Sequence, residues 1–214
     1  MMKRWGMVIL IVALTLGVAA SALASGRRIY CYSANANDPC PFWGASYSGM
    51  RFQTNVEQSR IRYAGSINEV EYYNYDGASG RYNNYRVYLC HTTRTSLSTT
   101  FGVNYYAAPV LVASRSAFTI PAVRGWFGLR MTRSFAYDNV RHLLIEIRWE
   151  GDNAISVPIY NNDPLSGNRR VWAVNDPNAE TGRGDGRAYY TRLNFGYYTA
   201  VEPTSLGRVK AIFE

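Results

Sequence analysis

Cys90 and His91 stand side by side in "YNNYRVYLCHTTRTSLSTTF", residues 82–101, and a thiol beside an imidazole is the pairing that a nucleophile and its general base require. The spacing argues against a dyad. Tyr85, Val87 and Leu89 alternate as in a strand that runs into Cys90 and His91, and neighbouring strand side chains project to opposite faces. A nucleophile and its base must approach within about 2.6–3.2 Å, which adjacent strand residues cannot do. The other histidine, His142, lies on a different predicted strand. A Cys90–His142 pair has no motif behind it, and two histidines are too few for a histidine-rich zinc site.

Glu69 and Glu71, in "INEVEYY", share one face of a predicted strand about 6.5–7 Å apart, a separation that the acid and base of some glycosidases use. The ordinary reading of such a Glu-x-Glu is a solvated outer face. Glu146 and Asp138 read in the same way. We therefore assign no catalytic residue and read the chain as a non-enzyme.

Two further groups could bind a ligand. "NDPNAETGRGDG" carries Asp176, Asn178, Glu180 and Asp185, oxygen donors that a calcium ion could gather, although the ordered spacing of a calcium-binding loop is absent and a Gly/Asp turn is the simpler reading. No other metal or cofactor is indicated. Within it, Arg183-Gly184-Asp185 matches the tripeptide that integrins read, a string short enough to arise by chance. The second group is aromatic. Tyr clusters such as "EYYNY", "AYY" and "GYY" sit beside Asn and Arg, and exposed rings next to amide and guanidinium groups suit sugar- or protein-binding surfaces. Tyr is also a favoured strand residue. Trp43, Trp126 and Trp172 are the candidate ligand-binding aromatics.

The elements that must position these residues are strands. Runs rich in Tyr, Val, Ile and Phe recur between Gly, Asn, Asp and Pro clusters, and helical periodicity is nearly absent after residue 24. Strands are predicted at 28–33, 50–55, 67–75, 85–91, 109–113, 117–120, 125–130, 141–149, 155–160, 169–174, 188–195 and 208–213. In "RHLLIEIRW", Leu143, Ile145, Ile147 and Trp149 share a core-facing side, opposite His142, Leu144, Glu146 and Arg148. So many short strands joined by turns predict an all-β, antiparallel β-sandwich of the jelly-roll kind, in one domain.

The chain begins with Lys3, Arg4, an apolar run from Trp5 to Ala20, and the small-x-small pattern Ala22-Leu23-Ala24, so residues 1–24 are expected to be a cleaved signal peptide. No later apolar run is long enough to span a bilayer, so no membrane span is expected after cleavage. Cleavage lowers the formal net charge from +8 to about +6, and the arginines are scattered singly rather than in a dense run, which argues against nucleic acid as a partner. Export favours disulfides. Cys31 and Cys40 flank the turn-rich "YSANANDP" and are expected to pair, making residues 25–47 an N-terminal strap ahead of a sandwich domain at 48–214. Cys90 is left over, as a buried thiol or as half of an intermolecular bond.

"YNNYRVYLCHTTRTSLSTTF", followed by "APVLV", "FTIPA", "GWFGL" and "FAYDNVRHLLIEIRW", resembles a β-sandwich module that recurs in large secreted and cell-surface bacterial proteins, including those exported by the type IX pathway. "CPFWGASYSGMRFQT" and "AGSINEVEYY" are similar to the start of that module, and "TSLGRVKAIFE" to its closing strand. The resemblance covers most of residues 41–150, with Cys90 standing where the module usually has Gly. It implies an accessory or structural piece without an active site, secreted or on the surface of a bacterium. The expectation is thus a non-enzymatic structural or interaction protein that self-associates into a homo-oligomer or surface polymer, with a glycan-binding module as the alternative. Low-charge strands "PVLVAS" and "AYYTRLNF", and a basic "GRRIYC" free to pair with a partner, motivate the self-association.

Overall fold

Leu143, Ile145, Ile147 and Trp149 are all fully buried, and the strand that carries them sits in the middle of a six-stranded antiparallel sheet. The computed structural model describes residues 26–44, 47–151, 155–162 and 164–196; the expected signal peptide, the expected last strand at 208–213 and "TSLGRVKAIFE" lie outside the described residues. In chain order the strands are β1 (Arg27–Cys31), β2 (Ala36–Asp38), β3 (Gly49–Val56), β4 (Gly65–Asn74), β5 (Arg81–Thr92), β6 (Val110–Thr119) and β7 (Gly125–Gly128). They continue with β8 (Phe135–Tyr137), β9 (His142–Glu150), β10 (Ile159–Asn161), β11 (Arg170–Val174), β12 (Arg183–Asp185) and β13 (Thr191–Gly196). A one-turn helix α1 (Gln58–Ile61) and a 3-10 turn (Phe101–Asn104) interrupt them.

The first sheet runs β1-β13-β4-β10-β2, with β7 and β8 also paired to β4; the second runs β12-β11-β3-β9-β5-β6. Their inner faces interleave Val70, Tyr72, Leu193 and Phe195 of the first sheet with Met50, Phe52, Val87, Leu89 and the β9 residues of the second, in one core. The chain is therefore an all-β antiparallel sandwich, with burial alternating along strands such as β4 and β13, while β3 is buried on both faces. The predicted strands at 109–113 and 117–120 are one continuous strand, β6. The three-residue β2, β8 and β12 are too short to show a period.

The N-terminal segment is not an appended strap. Strand β1 pairs with β13 from Arg27↔Phe195 to Cys31↔Thr191, and β2 pairs with β10. Between and beyond them Phe42 is fully buried, and the carbonyls of Pro41 and Phe42 accept hydrogen bonds from Trp149 Nε1 and the Tyr82 hydroxyl, both at 2.8 Å. "GRRIYC" is therefore already paired within its own sheet, and "AYYTRLNF" lies between β1 and β4. Of the low-charge strands singled out for self-association, only β6 ends a sheet among the described residues, where its one neighbour is β5.

The expected Cys31–Cys40 disulfide is absent. Both are free, fully buried thiols. The intervening residues do not close a loop; they lead from β1, at one end of the first sheet's strand order, to β2, at the other. Cys31 lies near Tyr137 and Arg60, whereas Cys40 lies near Tyr189 and Arg170, and burial pushes each thiol up to about 12.

Cys90 and His91 do point to opposite faces. Cys90 packs with Leu97, Phe101, Leu144 and Val171, while His91 stacks on Tyr137 at 5.7 Å and its Nε2 accepts the Asp138 backbone N–H at 3.3 Å. Leu97 and Phe101 belong to the 93–108 segment, which covers the outer side of the second sheet. Glu146, which reads as a surface carboxylate, is buried beneath it. Gln53 Nε2 and Arg148 Nε donate to it at 2.5 Å each, Arg51 lies 3.4 Å away, and the Tyr105 hydroxyl donates to it as well. A buried carboxylate persists only with such compensation.

Candidate functional site

Alternation along the first sheet decides which aromatic residues reach its outer face. On β4, Val70 and Tyr72 point into the core, so Glu69, Glu71 and Tyr73 point out. On β13, Leu193 and Phe195 point in, so Arg192 and Asn194, with Tyr190 just before them, point out. Tyr30 of β1, Trp126 of β7 and Tyr160 of β10 take the outward positions of their strands by the same rule.

These rings touch in an unbroken series across the strands. Tyr75 meets Tyr160 at a centroid distance of 5.1 Å, Tyr160 meets Tyr73 at 5.3 Å, and Tyr73 meets Trp126 at 5.5 Å. Trp126 then meets Tyr190 at 4.7 Å and Tyr30 at 5.7 Å. Most contacts are edge-on or tilted, the geometry that aromatic quadrupoles prefer. Two arginines thread the series: Arg192 lies 4.5 Å over Trp126 and 5.9 Å over Tyr30, and Arg124 lies 5.7 Å over Tyr75 while donating to the Tyr160 hydroxyl at 3.3 Å.

Glu69 and Glu71 share this face, and both already have partners. Arg192 donates through Nε and Nη2 to Glu71 at 2.5 Å each, and Asn194 Nδ2 adds a third bond at 2.5 Å. Burial works against the Glu71 charge, but these bonds outweigh it and hold the carboxyl below the usual range. Burial raises Glu69 despite the Arg130 backbone N–H that its Oε1 accepts at 3.0 Å. Glu69 lies across Gly128, where an added Cβ would come within 2.7 Å of the carboxyl carbon, so the glycine is what lets this carboxylate reach the turn. One glutamate braces an arginine and the other holds a turn.

Compared with known proteins, the chain matches no protein-family model and no curated protein. The likeness of residues 41–150 to a recurring surface module stands on the quoted motifs alone.

The three candidate tryptophans do not form one site. Trp126 is central to the outer face just described. Trp43 and Trp172 meet edge-on at 6.5 Å, and with Tyr47, Gly182 and Arg183 they line a concavity of about 600 Å³. Trp43, Tyr47 and Trp172 also pack against the main core, which gives them a structural task that the outer face rings lack.

The candidate calcium loop is not assembled. Asp185 is taken by Arg170, with Nε–Oδ1 at 2.7 Å and Nη2–Oδ2 at 2.8 Å; burial raises its pKa and that pairing more than reverses the shift. Asp176 Oδ1 accepts the Asn178 backbone N–H at 2.8 Å and closes its own turn. Among the described residues no group of three or more His, Cys, Asp or Glu is placed to hold a metal ion. The same Arg170 contact turns Asp185 inward, so Arg183-Gly184-Asp185 is strand β12 and not a displayed recognition loop.

Tyr30, Tyr73, Tyr75, Tyr160 and Tyr190 are the face residues that composition alone does not single out. The signal exists in the period of two: in "VEYYNY", Val70 and Tyr72 mark the inward set, which leaves Glu71, Tyr73 and Tyr75 outside.

Proposed function

We propose that this chain is a secreted, non-enzymatic protein of the extracellular surface that works by binding, and that it binds a glycan chain on the outer face of the first sheet. The unbroken series from Tyr75 to Tyr30 carries this reading. Rings held by their neighbours offer flat, stiff apolar area at little entropic cost, suited to the C–H faces of sugar rings. Arg192 and Arg124 stand among the rings to meet hydroxyl groups, and Glu71 fixes Arg192 in advance, which lowers the cost of ordering it on binding. A protein-binding core would be expected to add aliphatic side chains. The exposed Val103, Leu111 and Val140 lie on other elements, and Val123 borders the face beside Arg124.

A polysaccharide-array measurement tests the reading. The protein is expected to retain at least one polysaccharide class, and the double variant Tyr73→Ala/Tyr190→Ala to lose it while remaining folded. Unchanged retention by that variant would place the contact elsewhere.

One observation favours self-association as a second reading: Leu111 is exposed on β6, an edge strand whose only charged residue is Arg115. Light scattering would then show a concentration-dependent oligomer that Leu111→Lys abolishes.

A further inference from the structure

We infer that the glycan is anionic and that Arg60 and Arg62 receive its carboxylate or sulfate group, an inference that rests on the glycan reading above. Tyr30 ends the ring series, and it is also one wall of a concavity of about 460 Å³. Arg60, Arg62, Tyr32, Ser33, Ser59 and Asn162 line the rest. A sugar stacked on Tyr30 would therefore extend directly into a pocket of guanidinium, hydroxyl and amide groups.

Neither arginine has a carboxylate to itself. The nearest carboxylate to Arg60 is Glu57 at 4.0 Å, and Glu57 is held by Arg169 at 2.7 Å. Arg62 spends its Nε on the Ser59 carbonyl at 2.6 Å, and among the described residues no carboxylate pairs with it. On the same sheet Arg192, by contrast, is met by Glu71. Arg62, with no carboxylate among the described residues, and Arg60, which shares Glu57 with Arg169 and lies 5.5 Å over the Tyr32 ring, leave net positive charge in one concavity that matches an oxyanion, since the guanidinium fork binds carboxylate and sulfate oxygens in pairs.

The pocket is also held in a specific backbone shape. Tyr32 and Arg62 both adopt left-handed conformations, with φ of 66° and 50°, which residues carrying a Cβ seldom do. The Tyr32 hydroxyl accepts the Glu57 backbone N–H at 3.3 Å, and the Arg62 backbone N–H bonds to the Gln58 carbonyl at 2.9 Å, so the turn after α1 is tied to the end of β1. Positive charge continues along that strand, where Arg27 and Arg28 line another concavity with Asn194. A neutral sugar would leave these cations unused. A single-stranded nucleic acid could also stack on the rings, but Ser33, Ser59 and Asn162 suit sugar hydroxyls, and the expected export route does not lead to nucleic acid.

The test compares polymers that differ only in charge. Wild-type protein and Arg60→Gln/Arg62→Asn are titrated with polygalacturonate and its fully methyl-esterified form, with dextran sulfate and dextran, and with a single-stranded DNA oligomer. Circular dichroism confirms the variant's fold, and Asn at 62 tolerates the left-handed backbone. The wild type is expected to bind at least one charged polymer tenfold or more tightly than its neutral counterpart at low salt. The gap should shrink in high salt and disappear in the variant, whose binding to the neutral forms is unchanged. A gap for polygalacturonate assigns a carboxylate, and one for dextran sulfate a sulfate. Equal binding of charged and neutral forms, or a gap that survives in the variant, overturns this inference and leaves the glycan reading standing. Binding to no glycan overturns both, and tighter Arg60- and Arg62-dependent binding of the DNA replaces the glycan with a nucleic acid.

Discussion

Arg192 holds its guanidinium carbon 4.5 Å above the centre of the Trp126 ring, while the same guanidinium donates two hydrogen bonds to Glu71. One brace thus joins three strands: β13 supplies the arginine, β7 the ring and β4 the carboxylate. The cation fixes the indole, and the carboxylate fixes the cation, so the central ring of the face is set before any ligand arrives.

Replacing Glu71 by Gln should weaken this brace. The variant is expected to be less stable by about 2 kcal/mol at pH 7, the scale of hydrogen bonds to a charged group. Folding lowers the Glu71 pKa, so its contribution is present above the unfolded value near 4.5 and is lost as pH falls through the folded value. Urea unfolding should therefore show the gap between wild type and variant closing below about pH 4.5. A gap that stays constant into acid would assign it to packing instead.

The three cysteines are expected to be free and protected. A thiol reagent at pH 8 should find none in the native protein and all three after denaturation without reductant. Folding raises the Cys31 and Cys40 pKa values from an ordinary 9.0 to about 12, so the stability they contribute is intact below pH 9.0 and falls as pH rises through that interval. A single reactive thiol after denaturation would instead reveal a bridge.

Glu146 should matter more than any other carboxylate for folding. Glu146→Ala leaves Arg51 and Arg148 beside an empty, buried site and is expected to cost about 3–5 kcal/mol, whereas Tyr105→Phe removes two bonds, one to Glu146 and one from Arg51 Nη2, and should cost about 2 kcal/mol. Chemical denaturation of the two variants decides the order. Equal, small losses would mean that the 93–108 segment is not clamped through Glu146.

The sandwich was legible because burial on one face imposes a period of two, and β9 shows it from Leu143 to Trp149. The cover over the second sheet was not. Glu146 reads as a solvated carboxylate, and only the packing of Leu97 and Phe101 over the sheet's outer side buries it together with Arg51 and Gln53. Spacing suggested a Cys31–Cys40 bridge because sequence distance is short, while the strand order sends the two residues to opposite ends of a sheet. The tyrosines were visible as clusters, yet Tyr72, Tyr82, Tyr85 and Tyr189 are fully buried and their neighbours Tyr73 and Tyr190 are not; register separates the two sets, and composition cannot. The Arg60 and Arg62 pocket joins residues from α1, β1 and the β10 end, and no local pattern announces it.

The most direct test of the central claim is calorimetric titration of the array-selected polysaccharide into Trp126→Ala and Trp172→Ala, each checked for wild-type unfolding behaviour. If the outer face of the first sheet is the contact surface, Trp126→Ala loses at least tenfold in affinity, about 1.4 kcal/mol, and Trp172→Ala binds as the wild type does. Wild-type affinity in Trp126→Ala, with the loss appearing in Trp172→Ala, would contradict the account and move the site to the Trp43–Trp172 concavity.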